Sequence, residues 1–388
     1  MDSDAPIVQF VDRPGILDLG WGHPIAAALP VAEWSAATEA ALRDFGWQML
    51  TYGHASGPGP LLDWLTEHLL QTDAGRTRVA ETFVTGGASH ALDLVAALLV
   101  HPGDVVVVDS PTYHLALPIL SGHGAEIVGA PADHCGIDPA ATADLIATLQ
   151  ARGRRVPLLY IVPTFANPTG RNLPDDRREA LVEMAGRSGV TIVEDDTYRE
   201  LVYAETAPAS LWSIAGGRPV VRIGSFAKTV APGLRLGWLN AAPDVIDAIA
   251  QIGYVDSGGG VNHSVALTMA TLGASGAYDV HLDRVRQLYA GHRDALVAAL
   301  QVALPEIEIE SPSGGWFLWL PLPADLDAGR LLPIAERSGV SFMEGTAFYK
   351  SAGGEDHIRL AFSHLGPSDL VEAAHRLAAA IQVCEAPE

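Results

Sequence analysis

One pattern constrains this chain more than any other. A short β-type run, a polar or Gly/Pro turn and a helical stretch follow one another repeatedly. Asp104 to Asp109, with Val105-Val106-Val107-Val108 at its centre, reads as a strand buried on both faces. Val156 to Val162, Val190 to Glu194 and Val220 to Ser225 repeat the type, with helical patterns at Ser89 to Val100, Pro139 to Ala151 and Asp175 to Ser188 between them. Alternation of this kind predicts βαβ units around a mostly parallel sheet, because parallel strands need a crossover and helices then cover both faces. Ligands of such sheets bind beyond the carboxyl ends of the strands, so polar residues there are the candidates for chemistry.

From about Ala277 the pattern changes. Val280, Leu282, Val285, Leu288 and Tyr289 line one face of a long helix ending near Leu300. Ile307 to Ile309 and Gly314 to Leu320 then read as strands of a second sheet, and a last helix runs from about Pro367 to Val383. The expected division is an N-terminal segment, 1–45, joining a small C-terminal domain, 277–388, with a large domain over 46–276.

The chain of 388 residues carries 46 acidic against 24 basic side chains, a net charge of -22. That surplus opposes non-specific binding to nucleic acid or an anionic membrane, both of which need Lys/Arg. No apolar stretch approaches the roughly 20 residues that span a bilayer, and no signal peptide follows the acidic Met1-Asp2-Ser3-Asp4. Cys135 and Cys384 have no metal-like spacing, so a soluble, cytoplasmic protein without a metal or a disulfide framework is expected. Only two lysines, Lys228 and Lys350, are available for chemistry that needs an amine.

Lys228 follows a strand in Gly224-Ser225-Phe226-Ala227-Lys228, with Arg235 seven residues beyond. In that apolar, Gly-rich setting it is a candidate for Schiff-base chemistry, the alternative being an ordinary surface lysine. Glu194-Asp195-Asp196-Thr197-Tyr198 puts carboxylates at another strand end, where a helix cap or a salt bridge is the competing explanation. Thr85-Gly86-Gly87-Ala88-Ser89-His90 opens a helix. Its glycines would let an anion approach the backbone, and Ser89 could cap the helix. Pro111-Thr112-Tyr113 and Asn167-Pro168-Thr169-Gly170 follow two further strands.

Order and spacing together are more specific than any one cluster. Asn-Pro-Thr-Gly, Asp-x-x-Tyr and Ser-x-x-Lys followed by Arg occur in sequence. Gly20-Trp21-Gly22-His23-Pro24 and Tyr52-Gly53 precede them, and Ser313-Gly314-Gly315-Trp316-Phe317 and Ile358-Arg359-Leu360 follow. Over essentially its whole length the chain resembles the fold-type I pyridoxal 5′-phosphate (PLP) enzymes, specifically the class I/II aminotransferases. The resemblance implies an α/β fold with a mostly parallel seven-stranded sheet flanked by helices, plus a small α+β domain built from both termini. It also implies an aminotransferase that moves an amino group from an L-amino acid to a 2-oxo acid through pyridoxamine phosphate.

By the same resemblance Lys228 would link PLP covalently and then act as the base. Asp195 would pair with the pyridine nitrogen; Asp196 stands next to it, but the step to Tyr198 selects Asp195. Tyr198 and Asn167 would bond the ring's phenolic oxygen, and Tyr113 would stack on the ring. Gly87, Ala88, Ser89, Ser225 and Arg235 would hold the phosphate, with Tyr52 reaching it from the second subunit of a homodimer. Arg359 would grip the substrate carboxylate beside Gly22 and Asn167.

Some positions depart from the family pattern. Ser89-His90 stands where many relatives have glutamine, and Ser257 to His263 lacks the arginine that dicarboxylate-specific relatives supply, which disfavours strict aspartate or glutamate specificity. His114, His23 and Trp21 could touch substrate but read first as packing residues, and Trp47 and Trp64 read as core or interface residues. Two alternatives remain. One is a PLP-dependent lyase, cyclase or synthase. The other is a non-catalytic sensing domain like those fused to winged-helix regulators, against which the family-like region begins almost at Met1.

Overall fold

The structure, a computed structural model, describes residues 8–9, 12–73, 75, 77–203, 206–258, 260–324 and 326–385. Met1 to Asp4, and Gly259 within the Ser257 to His263 segment, lie outside the described residues. The alternating pattern becomes a seven-stranded sheet of β1 (Thr82–Thr85), β2 (Val105–Val108), β3 (Glu126–Gly129), β4 (Leu158–Ile161), β5 (Thr191–Asp195), β6 (Val220–Ser225) and β7 (Gly237–Asn240). The order across the sheet is β1-β7-β6-β5-β4-β2-β3. β3, β2, β4, β5 and β6 pair in parallel, and β7 runs antiparallel between β6 and β1.

Helices cover both faces, as the unbroken apolar strands require. All four residues of β2 are fully buried, Val106 and Val108 toward one helical layer and Val105 and Val107 toward the other. The helices expected from sequence form as Ala88–Leu99, Pro139–Ala151 and Asp175–Ser188. Asp138 caps the second of these through the amides of Ala140 and Ala141. Pro139 occupies its first position, where a missing N–H costs nothing.

The C-terminal region is a three-stranded antiparallel sheet, β8 (Phe317–Pro321), β9 (Met343–Glu344) and β10 (His357–Ala361), in the order β8-β10-β9. Ile307 to Ile309 does not form the expected strand. It is irregular and packs its isoleucines against the core without sheet partners. The 27-residue helix Ala277–Ala303 leads into this region and packs on the last helix, Pro367–Glu385. Leu17–Asp18 pairs in parallel with Val340–Ser341, while the helix Val31–Phe45 packs instead on His263–Ala274. Among the described residues no helix is long and apolar enough to cross a membrane.

Candidate active site

Residues from the carboxyl ends of the parallel strands, the loop after β6 and strands β8 and β10 of the C-terminal sheet converge around Lys228 and Arg359. Lys228 lies just past β6, its amine 4.7 Å from the centre of the Trp316 ring and 5.7 Å from that of Tyr198. Among the described residues no carboxylate lies within salt-bridge distance of it. Burial, with the positive charges of Arg359 and Arg235, pushes the amine down to about 8, while Asp195 opposes this. An amine so placed is partly neutral near physiological pH and can act as nucleophile or base.

The acidic run at the end of β5 separates into three different environments. Glu194 accepts from the amides of Leu211 and Trp212 at 2.9 and 3.0 Å, at the start of the helix Leu211–Ala215. Asp196 accepts from Arg199 Nε at 2.5 Å and Arg222 Nε at 2.8 Å, in a buried network that also holds Asp73. Asp195 faces the cleft, accepting from the Tyr160 hydroxyl at 2.7 Å and the Thr197 amide at 3.3 Å. Burial pushes its pKa up despite those two bonds. The cap and salt-bridge explanations thus hold for Glu194 and Asp196, and Asp195 is the carboxylate left toward Lys228.

Arg359, on β10, is 3 % exposed. Its guanidinium donates to Asn167 Oδ1 at 2.9 Å and to the Gly20 carbonyl at 2.5 Å. It stacks 4.2 Å over Phe317 and 4.9 Å from the centre of Phe348. Among the described residues its Nε has no acceptor, and desolvation lowers its pKa to about 10. Gly22 closes the same corner: a Cβ there would lie 2.8 Å from the Phe317 ring. Tyr113 and Tyr198 interact electrostatically with Arg359 and Asp195, and burial raises Tyr113 to about 12. His114, edge-on to Phe348 at 5.2 Å, is pushed down to about 4 by burial and by Arg359, so it is neutral.

Arg235 lies beyond Lys228 in a left-handed conformation, φ +46°, and Arg235 Nη2 donates to the Gly86 carbonyl at 3.2 Å. Gly87, at φ +97°, is the N-cap of Ala88–Leu99, and a Cβ there would meet Arg235 Nη2 at 3.0 Å. Ser89 therefore does not cap this helix: it is an exposed residue of the first turn, and the glycine conformation supplies the cap. The first-turn amides of Ala88 and Ser89 have no intrahelical acceptor, which together with Arg235 makes an anion cradle. Ser225 ends β6, its Oγ accepting from Ala227 N at 3.1 Å. Tyr52 stands apart: it is 87 % exposed and lines a 220 Å³ surface cavity with Gly258 and His263. Lys350 lies in an exposed bend and joins none of this.

An anion cradle, a low-pKa lysine, a facing carboxylate and a buried arginine without a carboxylate among the described residues fit PLP and an amino-acid substrate. Tyr160, Phe348 and His90, whose Nδ1 accepts from the Gly86 amide, are not apparent as site residues in the sequence, since each reads as a core or helix residue. Elsewhere, Asp133, His134 and Cys135 bring three potential metal-ligand atoms within 4.8 Å, but Arg177 already holds both oxygens of Asp133.

Comparison with known proteins agrees with the geometry. The chain is 30% identical over 381 residues to aromatic-amino-acid aminotransferase 1 of Thermococcus litoralis, covering 97% of this chain and 90% of that one. It is 31% identical to the 2-aminoadipate transaminase of Thermus thermophilus, covering 97% and 92%. The structure of a Pyrococcus horikoshii kynurenine aminotransferase, solved with PMP, superposes with a TM-score of 0.90 at 28% identity over 96% of this chain and 92% of that one. A match to the family "Aminotransferase class I and II" spans residues 27–377, and the chain belongs to that family of PLP-dependent aminotransferases.

Proposed function

We propose that the cleft around Lys228 carries out transamination between an L-amino acid and a 2-oxo acid, with the residue roles the family pattern implies. The carrying observation is the pairing of a desolvated lysine with Arg359, a buried guanidinium that lacks a carboxylate partner among the described residues. Lys228 would hold PLP, Asp195 its ring nitrogen, and Asn167 and Tyr198 its phenolic oxygen, with Tyr113 against the ring. Gly87, Ala88, Ser89, Ser225 and Arg235 would hold the phosphate. Bound PLP supplies an electron sink for the pair left on the substrate Cα when that carbon loses its proton.

The chain's own groups do the rest. Arg359 receives the substrate carboxylate in its fork, gaining the charged acceptor it lacks, and Gly22 leaves room beside it. With the carboxylate fixed, the Cα–H bond would be directed toward Lys228, whose Nζ, displaced from the cofactor by the substrate amine, would accept the proton. Phe317, Phe348 and Trp316 exclude water and strengthen each of these charge interactions.

The aromatic-amino-acid relative and the Trp21–His23 pair, edge-to-face at 5.4 Å beside Lys228, support a donor with a large side chain. The lack of arginine in Ser257 to His263 speaks against aspartate or glutamate. Exposed Trp47, Leu50, Tyr52 and Tyr254 support a homodimer in which Tyr52 serves the neighbouring site. Pairing of Leu17–Asp18 with Val340–Ser341 supports an N-terminal segment (1–45) that joins the 277–388 domain through its first part, while its helix Val31–Phe45 packs on His263–Ala274 of the 46–276 PLP domain. Two free cysteines suit a reducing cytoplasm.

The test gives the PLP-loaded protein one L-amino acid at a time without an oxo acid. Transamination releases one equivalent of 2-oxo acid per site and then stops until an acceptor is added. Continuous product release without acceptor would overturn it in favour of a lyase or cyclase. Lys228→Ala should abolish the borohydride-trapped PLP link, and a trapped link on Lys350 would sink the site assignment.

A further inference from the structure

The turn that opens Ala88–Leu99 is clamped from two sides. Arg235 takes the Gly86 carbonyl, and the Gly86 amide donates to His90 Nδ1 at 2.9 Å. A peptide N–H can only donate, so this His90 nitrogen carries a lone pair and the ring is the neutral tautomer protonated at Nε2. The contact is close: a Cβ on Gly86 would stand 3.2 Å from Nδ1. Thr85 Oγ1 completes the clamp by donating to the Gly87 carbonyl at 3.1 Å.

We propose that His90 is a positioning residue for the cofactor's phosphate, holding the Gly86 peptide so that the Gly87 and Ala88 amides and Arg235 converge on one anion. The inference rests on the PLP reading above. Two successive glycines give this turn wide conformational freedom, and any freedom left in the unliganded turn is lost on binding at the expense of affinity. An acceptor on the helix itself, four residues on, removes that freedom beforehand. Because the acceptor is an imidazole, which can take up a proton, the clamp is sensitive to pH.

Protonated His90 would present a donor to the Gly86 donor and release the peptide. The groups facing the ring are Asp93 on its own helix, Arg235 from the loop after Lys228, and Tyr254, whose ring is edge-on at 6.4 Å. Burial and Arg235 lower the pKa and Asp93 opposes them, with a net shift below the ordinary imidazole value. The neutral, clamping form therefore prevails at pH 7 and above, and affinity is lost as the pH falls through that lowered value.

Two variants of the full chain, stripped of cofactor and titrated with PLP, test this. Asparagine carries its Oδ1 as many bonds from the backbone as Nδ1 and cannot titrate; leucine has no acceptor. His90→Leu should weaken PLP binding about tenfold at pH 7.5, the size of one lost hydrogen bond. His90→Asn should bind within about threefold of the wild type and lack part of its acid-side loss of affinity. Phosphate ionisation affects all three proteins alike and cancels in the comparison. Wild-type affinity in His90→Leu overturns the proposal, as does an acid-side loss in His90→Asn identical to the wild type. If His90→Leu does not fold, the His90→Asn profile decides alone. A wild-type chain that binds no PLP would instead sink the PLP reading itself.

Discussion

Arg199 and Arg359 are nearly equally buried, at 4 % and 3 % exposure, yet their surroundings are opposite. Arg199 lies among carboxylates, with Asp196 at 2.5 Å and Asp73 at 3.8 Å, and these push its pKa up against the cost of burial. Arg222 shares both acids. Among the described residues Arg359 has only neutral acceptors and aromatic faces, and burial takes its pKa down to about 10. The carboxylates divide in the same way. Asp73 is drawn down to about 2 by the two arginines and two serine hydroxyls, whereas burial pushes Asp195 up. A buried charge surrounded by its opposite is part of the scaffold. One left without it is prepared for a ligand, and the difference lies in the partners, since depth is the same.

The comparison breaks most visibly if a scaffold charge is removed. Asp196→Ala takes from Arg199 and Arg222 the nearer of their two shared carboxylates, and a loss of about 3–5 kcal/mol of stability is expected. Chemical denaturation of the apo protein measures it. A loss below about 1 kcal/mol would mean the network is not what holds β5 and β6 at this end.

Arg359→Met applies the same operation to the other region and should give the opposite balance. An unmatched buried cation replaced by an apolar side chain of similar length leaves apo stability unchanged or raised. Catalysis suffers instead: kcat/KM should fall roughly 100-fold or more, the loss expected from one buried charge-assisted bond. The loss should be smaller for a substrate amine that has no carboxylate. Equal losses for both would remove Arg359 from the carboxylate role.

How much of this was legible beforehand follows from the same contrast. Runs that repeat one environment, such as the four valines of β2, announce their fold because every residue agrees. Glu194-Asp195-Asp196 does not announce its roles, because three adjacent carboxylates separate into a helix terminus, the cleft and an arginine network. What decides among them is Tyr160, Arg222 and Leu211, up to 35 residues away in sequence. Ser89 misleads for a local reason: a serine near a helix start suggests a cap, but Gly87 takes that position at a φ no serine adopts readily. Ile307 to Ile309 misleads because alternating isoleucines satisfy burial without finding a strand to pair with.

Acid titration distinguishes the two kinds of carboxylate by the sign of their effect. Asp73 has a folded pKa below its unfolded value, so its contribution, about 2 kcal/mol, is present above roughly pH 4 and is lost as the pH falls toward 2. Asp73→Asn should lower stability at neutral pH and flatten that acid limb in a denaturation series.

Asp195 should do the reverse, with the smallest effect of the set. Its folded pKa is raised, so its ionised form costs stability above that value, and the cost disappears as protons bind. Asp195→Asn keeps an acceptor for the Tyr160 hydroxyl and removes the charge, so the apo protein should gain about 1–2 °C in Tm at pH 7 and nothing near pH 3. With PLP the sign should invert, since the wild type gains the stabilisation of a bound ligand and the variant gains less. A variant less stable than wild type without cofactor would place Asp195 with Asp73, among the scaffold charges.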